Sequence, residues 1–87
     1  PHAWQDVRHA ATYARNIADG LGRADPAGRD AYAAALAGLE ARLATLDGWV
    51  RERIAAVPEA RRVVVTSHDA FAYFGAAYGV RFLAPQG

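Results

Sequence analysis

Tyr32, Leu36, Leu39, Leu43, Leu46, Val50 and Ile54 recur at steps of 4, 3, 4, 3, 4 and 4 residues. Such steps put side chains on one side of a helix, where residues three and four apart lie over one another. Signals for both ends are present. Asp25-Pro26 offers a capping carboxylate and then proline at the first helical position, where no amide hydrogen is needed. Pro58 marks the stop. Arg29, Asp30, Glu40, Asp47 and Arg51 are expected on the opposite, polar side. Gly38 and Gly48 each cost roughly 1 kcal/mol against alanine, so packing has to offset them. From Pro26 to Ala55 the rod would measure about 45 Å, longer than a compact domain of 87 residues requires. The expected role is a spine between two bodies, not one member of a small bundle.

Before the spine, Pro1-His2-Ala3-Trp4-Gln5 reads as a loop and Asp6 as the N-cap of a helix. Val7, Ala10, Ala14, Ile17, Ala18 and Leu21 form its apolar face, and Gly20 and Gly22 are expected to stop it. His9 and Tyr13 fall on its polar side. After the spine the period changes. Arg62 to Thr66 is a β-branched run without polar alternation, as expected of a strand buried on both faces. Ser67-His68-Asp69 is a polar turn. Phe71, Phe74 and Tyr78 step along a short helix with Gly79 as its C-cap, and Val80 to Ala84 reads as a second strand. Strand, helix and strand at this spacing make a βαβ unit with parallel strands and a right-handed crossover. The fold class is therefore α/β.

A hydrophobic share of 53% excludes a disordered chain. A net charge of +1, from 10 basic and 9 acidic residues, provides no basic stripe for nucleic acid. The adjacent pair Arg61-Arg62 reads as a solvated approach to the strand. Cysteine is absent, so no disulfide and no thiolate metal site can form. No apolar run approaches the roughly 20 residues needed to span a bilayer. The chain starts at Pro1 and ends at Pro85-Gln86-Gly87 directly after a strand, so it is expected to be an internal segment of a longer protein.

Chemistry concentrates at histidine. His68 lies at the carboxyl end of an expected parallel strand, where open α/β sheets bind ligands; a hydrogen-bonded structural histidine fits the same position. Asp69 reads as the cap of a helix starting at Ala70, or else as the group that orients His68. Ser67-His68-Asp69 is no catalytic triad, because consecutive residues leaving a strand point to different sides. No G-x-S-x-G elbow, H-E-x-x-H pair or phosphate-cradling loop is present. His2, beside Trp4, reads either as a mobile residue near the chain end or as a partner of His68. If the first helix, the spine and the first strand alternate in direction, their lengths leave a net axial offset of only about 3 Å between the two histidines. The two rings are thus compatible with one level in the molecule.

PHAWQD, the ADP-started long helix, and RRVVVTSHDAFAYFGAAYG followed by VRFLAPQG together resemble the metal-specific solute-binding proteins of bacterial ABC transporters, the TroA-like zinc- and manganese-uptake group. The resemblance covers essentially the whole chain in order. It implies two α/β lobes joined by one long rigid helix, with the metal in the cleft between them. Residues 1–24 would end the N-terminal lobe, 25–57 would be the inter-lobe helix, and 58–87 would start the C-terminal lobe. It implies His2 and His68 as metal ligands, with Trp4 and Asp69 as neighbouring support. A further histidine upstream and an aspartate downstream would complete the site. The cargo would be zinc or manganese, with iron also possible. The partner would be an ABC permease, at a periplasmic or extracellular, membrane-associated location. No enzymatic step is implied. The chain departs from the family in two places: Val7 stands where relatives often carry proline, and His68 stands where some manganese and iron binders carry glutamate. Imidazole at this position favours zinc.

A helical interaction module, pairing its seam with a partner helix, is the competing reading. It leaves His68 and the βαβ unit without a purpose. Cut from its surroundings, the exposed seam is expected to drive self-association.

Overall fold

The structure, a computed structural model, describes residues 1–85. Gln86 and Gly87, the end of the VRFLAPQG motif and of the 58–87 region, lie outside the described residues. The elements follow the expected order. Helix α1 spans Val7–Ala24 and helix α2 spans Arg29–Ala55. Strand β1 (Val63–Val65), helix α3 (Ala72–Tyr78) and strand β2 (Arg81–Leu83) complete the chain. The strands pair in parallel, with Val63 opposite Arg81 and Val65 opposite Leu83. Three 3-10 turns lie at Ala3–Gln5, Pro26–Gly28 and Glu59–Arg61.

The radius of gyration is 16.6 Å, with extents of 51 × 28 × 14 Å. A compact chain of this length would have a radius of about 12 Å, so the molecule is a rod with attachments. Helix α2 supplies the long axis: its 27 residues measure about 40 Å. Helix α1 lies antiparallel beside it. Arg29 Nη2 donates to Gly22 O at 3.3 Å near the turn, Arg15 pairs with Glu40 at 3.1 Å further along, and Val7 and Asp47 line one groove at the far end. The apolar seam of α2 is engaged within the chain. Leu36 and Leu39 line a groove shared with α1, while Leu46, 44% exposed, and Val50 line a groove shared with Phe71 and Phe74.

Helix α1 does not stop at its glycines. It runs through Gly20 and Gly22 to Ala24, because Gly22 is buried against Arg29 and the chain reverses only at Asp25-Pro26. Nor does Asp25 cap the spine. Pro26 opens a 3-10 turn instead, with Gly28 N–H bonded to Asp25 O at 3.0 Å, and the Asp25 carboxylate is taken by the Tyr32 hydroxyl at 2.7 Å. At Gly28 a Cβ would come within 2.8 Å of the Tyr32 ring, so this corner accepts only glycine without rearrangement.

In the βαβ unit, Phe71 stacks on Phe82 at 5.1 Å between centroids, and Phe74 meets Phe82 edge-on at 6.0 Å. Gly75 lets β2 approach: a Cβ there would lie 2.5 Å from Val80 O. Gly79, at φ 75°, ends α3 in the left-handed region. The expectation of a strand buried on both faces is not met, since Val65 is 68% exposed. Among the described residues the sheet has two strands, and α3 packs on the Ala3–Gln5 turn, on α2 and on β2, so β1 has little to bury itself against. Among the described residues no large side chain is fully buried.

Candidate metal centre

His2 is exposed and adopts φ 66°, ψ 15°. It is the one residue other than glycine with positive φ among those described. The left-handed region is uncommon for such residues, and it persists where the surroundings dictate it, often at functional sites. Here a hydrogen bond from Gln5 N–H to His2 O at 3.2 Å closes the 3-10 turn that follows. A second, from Asp6 N–H to Ala3 O at 3.1 Å, links that turn to α1.

His68 is also exposed, in the bend between β1 and α3. Its carbonyl accepts a 3.0 Å hydrogen bond from the Thr66 hydroxyl, so the strand end fixes the backbone that carries the ring. Asp69 is exposed in the same bend and does not cap α3. The helix starts two residues later than expected, Phe71 occupies the cap position, and no side chain accepts from the first amides. Asp69 is left beside His68, free of any capping duty.

The 3-10 turn after His2 packs against α3, the helix after His68. Trp4, 59% exposed, shares an apolar groove with Phe71, Phe74, Tyr78 and Val50. The His9 ring meets Tyr73 edge-on at 5.6 Å. The two histidine loops therefore flank one contact between the start of the chain and α3. Among the described residues no three His, Cys, Asp or Glu side chains group closely enough to hold a metal. The turn that follows His2 and the helix that follows His68 are thus in contact, and the described residues do not form a complete coordination shell.

Around that contact lies a polar network of which the sequence reading had only parts, Asp6 as an N-cap and Asp47 with Arg51 on the polar side of the spine. Asp6 is 4% exposed. Its carboxylate caps Arg8 N–H at 3.0 Å and grips the Arg8 guanidinium at 3.0 and 2.7 Å, with His9 Nε2 at 3.6 Å. The hydrogen bond from the Arg8 side chain, working against burial, holds the Asp6 carboxyl below its ordinary value of 3.8. Asp47 was expected on the polar side of the spine with Arg51. It instead accepts from the Tyr78 hydroxyl at 2.8 Å and from Arg51 Nε at 2.9 Å. Burial pushes the Asp47 carboxyl up, but Arg51 and Tyr78 outweigh it and leave the group below 3.8. A four-residue step between Asp47 and Arg51 was the only local signal; Tyr78 is too distant in sequence to have given one.

The family described as zinc-uptake complex component A, periplasmic, matches residues 1–87. The chain is 38% identical over 79 residues to the manganese-binding lipoprotein MntA of Halalkalibacterium halodurans, covering 91% of this chain and 26% of that protein. It is 39% identical over 80 residues to the metal ABC transporter substrate-binding lipoprotein FimA of Streptococcus parasanguinis, covering 92% of this chain and 26% of the relative. The chain thus spans about a quarter of the length of these relatives. The periplasmic zinc-binding protein TroA from Treponema pallidum superposes with a TM-score of 0.93 at 33% identity, over 100% of this chain and 31% of TroA. The elongated hairpin and its βαβ appendage are thus an arrangement found within a larger binding protein. By sequence along its whole length and by fold, this chain belongs to the periplasmic zinc-uptake component A family of metal ABC transporter solute-binding proteins, which are not enzymes.

Proposed function

We propose that the full-length protein carrying this segment captures a divalent transition metal between two lobes and delivers it to an ABC permease. His2 and His68 would contribute one imidazole from each lobe, with α2 as the rigid spine between them. Residues 1–24 belong on this reading to one lobe, 25–57 to the spine and 58–87 to the other. The observation that carries it is the packing of the His2 turn on the helix that follows His68. Two imidazoles are half of a four-coordinate shell, so the remaining ligands come from outside these residues. Asp69, beside His68 and uncommitted to a cap, is suited to orienting that ring, and Trp4 shields the approach from the His2 side.

The metal preference follows from donor chemistry. Neutral imidazole suits zinc, while oxygen donors shift preference toward manganese. Relatives are named for zinc, manganese and iron, and on this chain paired histidines favour zinc. No helix among the described residues is long and apolar enough to cross a membrane. The proposed location is the periplasm or cell exterior, held near the membrane through the transporter.

Titration of the full-length protein with Zn2+ tests the assignment. His2→Ala and His68→Ala should each weaken binding by about a hundredfold or more, beyond the range typical of losing a supporting group. Wild-type affinity in either variant would remove that histidine from the site.

A further inference from the structure

Tyr78 is 6% exposed, the most buried hydrophobic side chain among the described residues. Its hydroxyl joins three elements. It accepts from Val7 N–H at 3.1 Å and donates to Asp47 Oδ1 at 2.8 Å. Arg51 braces the pair: its Nε donates to Asp47 Oδ2 at 2.9 Å, its Nη1 donates to Ala77 O at 3.1 Å, and its guanidinium lies 5.2 Å from the centre of the Tyr78 ring. One oxygen therefore ties the first turn of α1, the middle of α2 and the end of α3. The Val7 amide is among the first in α1, which have no partner inside the helix. Burial pushes the Tyr78 phenol above its ordinary value of 10.0, so the group keeps the proton it donates to Asp47.

The position of this junction gives it a consequence for the metal. Val7 follows His2 by five residues, and the 3-10 turn between them is closed by its own hydrogen bonds. A short self-bonded turn transmits position, so fixing Val7 N fixes the backbone of His2. On the other side, α3 begins four residues after His68, whose carbonyl is held by Thr66. Building on the reading that His2 and His68 share one metal, we propose that Tyr78, braced by Asp47 and Arg51, is a positioning clasp that locks the His2 loop to the His68 side and so sets how long the metal stays bound. Tyr78 touches no metal. It acts through the Val7 amide and the turn behind it.

The test measures release of Zn2+, and separately Mn2+, from the full-length protein into excess chelator, with the thermal midpoint of each metal-free variant alongside. Tyr78→Phe keeps the ring and removes the hydroxyl. Its release rate should rise about tenfold, as expected for loss of one buried hydrogen bond. Combined with His2→Ala, Tyr78→Phe should add no further acceleration, because both changes act on the same ligand. A lowered midpoint with wild-type release in Tyr78→Phe would make the residue structural only and overturn the clasp. Wild-type release and affinity in His2→Ala would instead overturn the metal assignment on which the clasp rests. Should Tyr78→Phe fail to fold, Asp47→Asn decides. It keeps an acceptor for Tyr78 but loses the charge that holds Arg51; faster release supports the clasp, and unchanged release ends it.

Discussion

Asp6 shows how much one position can do. The sequence identified it as an N-cap, and its side chain does accept from Arg8 N–H. What the sequence could not show is that the same carboxylate is buried and clamped by the Arg8 guanidinium. The folded group gives up its proton more readily than it would in the unfolded chain. Its stabilising effect is therefore complete above the unfolded value, roughly pH 4, and is lost as pH falls through the lower folded value. Asp47 has the same sign, with Arg51, Tyr78 and the charge of Arg8 around it. The urea midpoint of the full-length protein should thus fall as the buffer is taken from about pH 5 to about pH 3. Asp6→Asn should flatten that fall while keeping the cap, since asparagine caps as well as aspartate; Asp6→Ala should cost about 1 kcal/mol more at neutral pH. Identical pH slopes for wild type and Asp6→Asn would show that the Arg8 clamp contributes nothing to stability. The left-handed backbone of His2 had no signal in the sequence at all. Such a conformation is imposed by its surroundings, here the turn closed by Gln5 N–H on His2 O, rather than favoured by the residue itself.

At the level of elements, patterning was read well where it was periodic and poorly where it depended on a partner. The α2 helix with its seam and the parallel βαβ unit follow from spacing; the antiparallel pairing with α1 entered only as a supposition, which the structure matches. The extension of α1 through Gly20 and Gly22 does not follow from spacing, because a helical glycine is judged by what it packs on, and Gly22 meets Arg29. The Val63–Val65 run was read as doubly buried from its composition, and composition reports the surroundings a strand is suited to. This chain supplies only part of those surroundings. Gly75 is the element-scale position with the least freedom. A Cβ there would sit 2.5 Å from Val80 O and 3.2 Å from the Phe82 ring, and the first of these neighbours is backbone. Gly75→Ala should destabilise the full-length protein by about 1–3 kcal/mol, the usual cost of overpacking, despite the small gain from a stiffer unfolded chain. Thermal melts with and without Zn2+ check this. An unchanged midpoint would mean that β2 can retreat from α3 at no cost.

For the molecule as a whole, shape and burial point to dependence on a larger body. Only Ala70 and Tyr78 are buried among the described apolar residues, while Ile17 is 62% exposed and Trp49 54%. A groove of about 370 Å³ opens between α1 and α2, lined by Tyr13, Ile17, Leu21, Tyr32 and Leu36. Natural chains cover such apolar surface, and chains with little buried area are marginal on their own. The 87 residues expressed alone should therefore self-associate, with a sedimentation coefficient that rises with concentration. They should bind Zn2+ only weakly, since no three ligating side chains group among the described residues. The two expectations are linked, because a dimer that pooled the histidines of two copies could assemble four imidazoles. Zn2+ affinity is therefore to be measured at concentrations where sedimentation shows monomer. Micromolar or tighter binding by that monomer would mean that the segment completes a site from its own residues, and that His2 and His68 are not half of a larger one. Weak binding by the monomer, together with tight binding by the full-length protein that is lost in His68→Ala, would locate the missing ligands outside the segment.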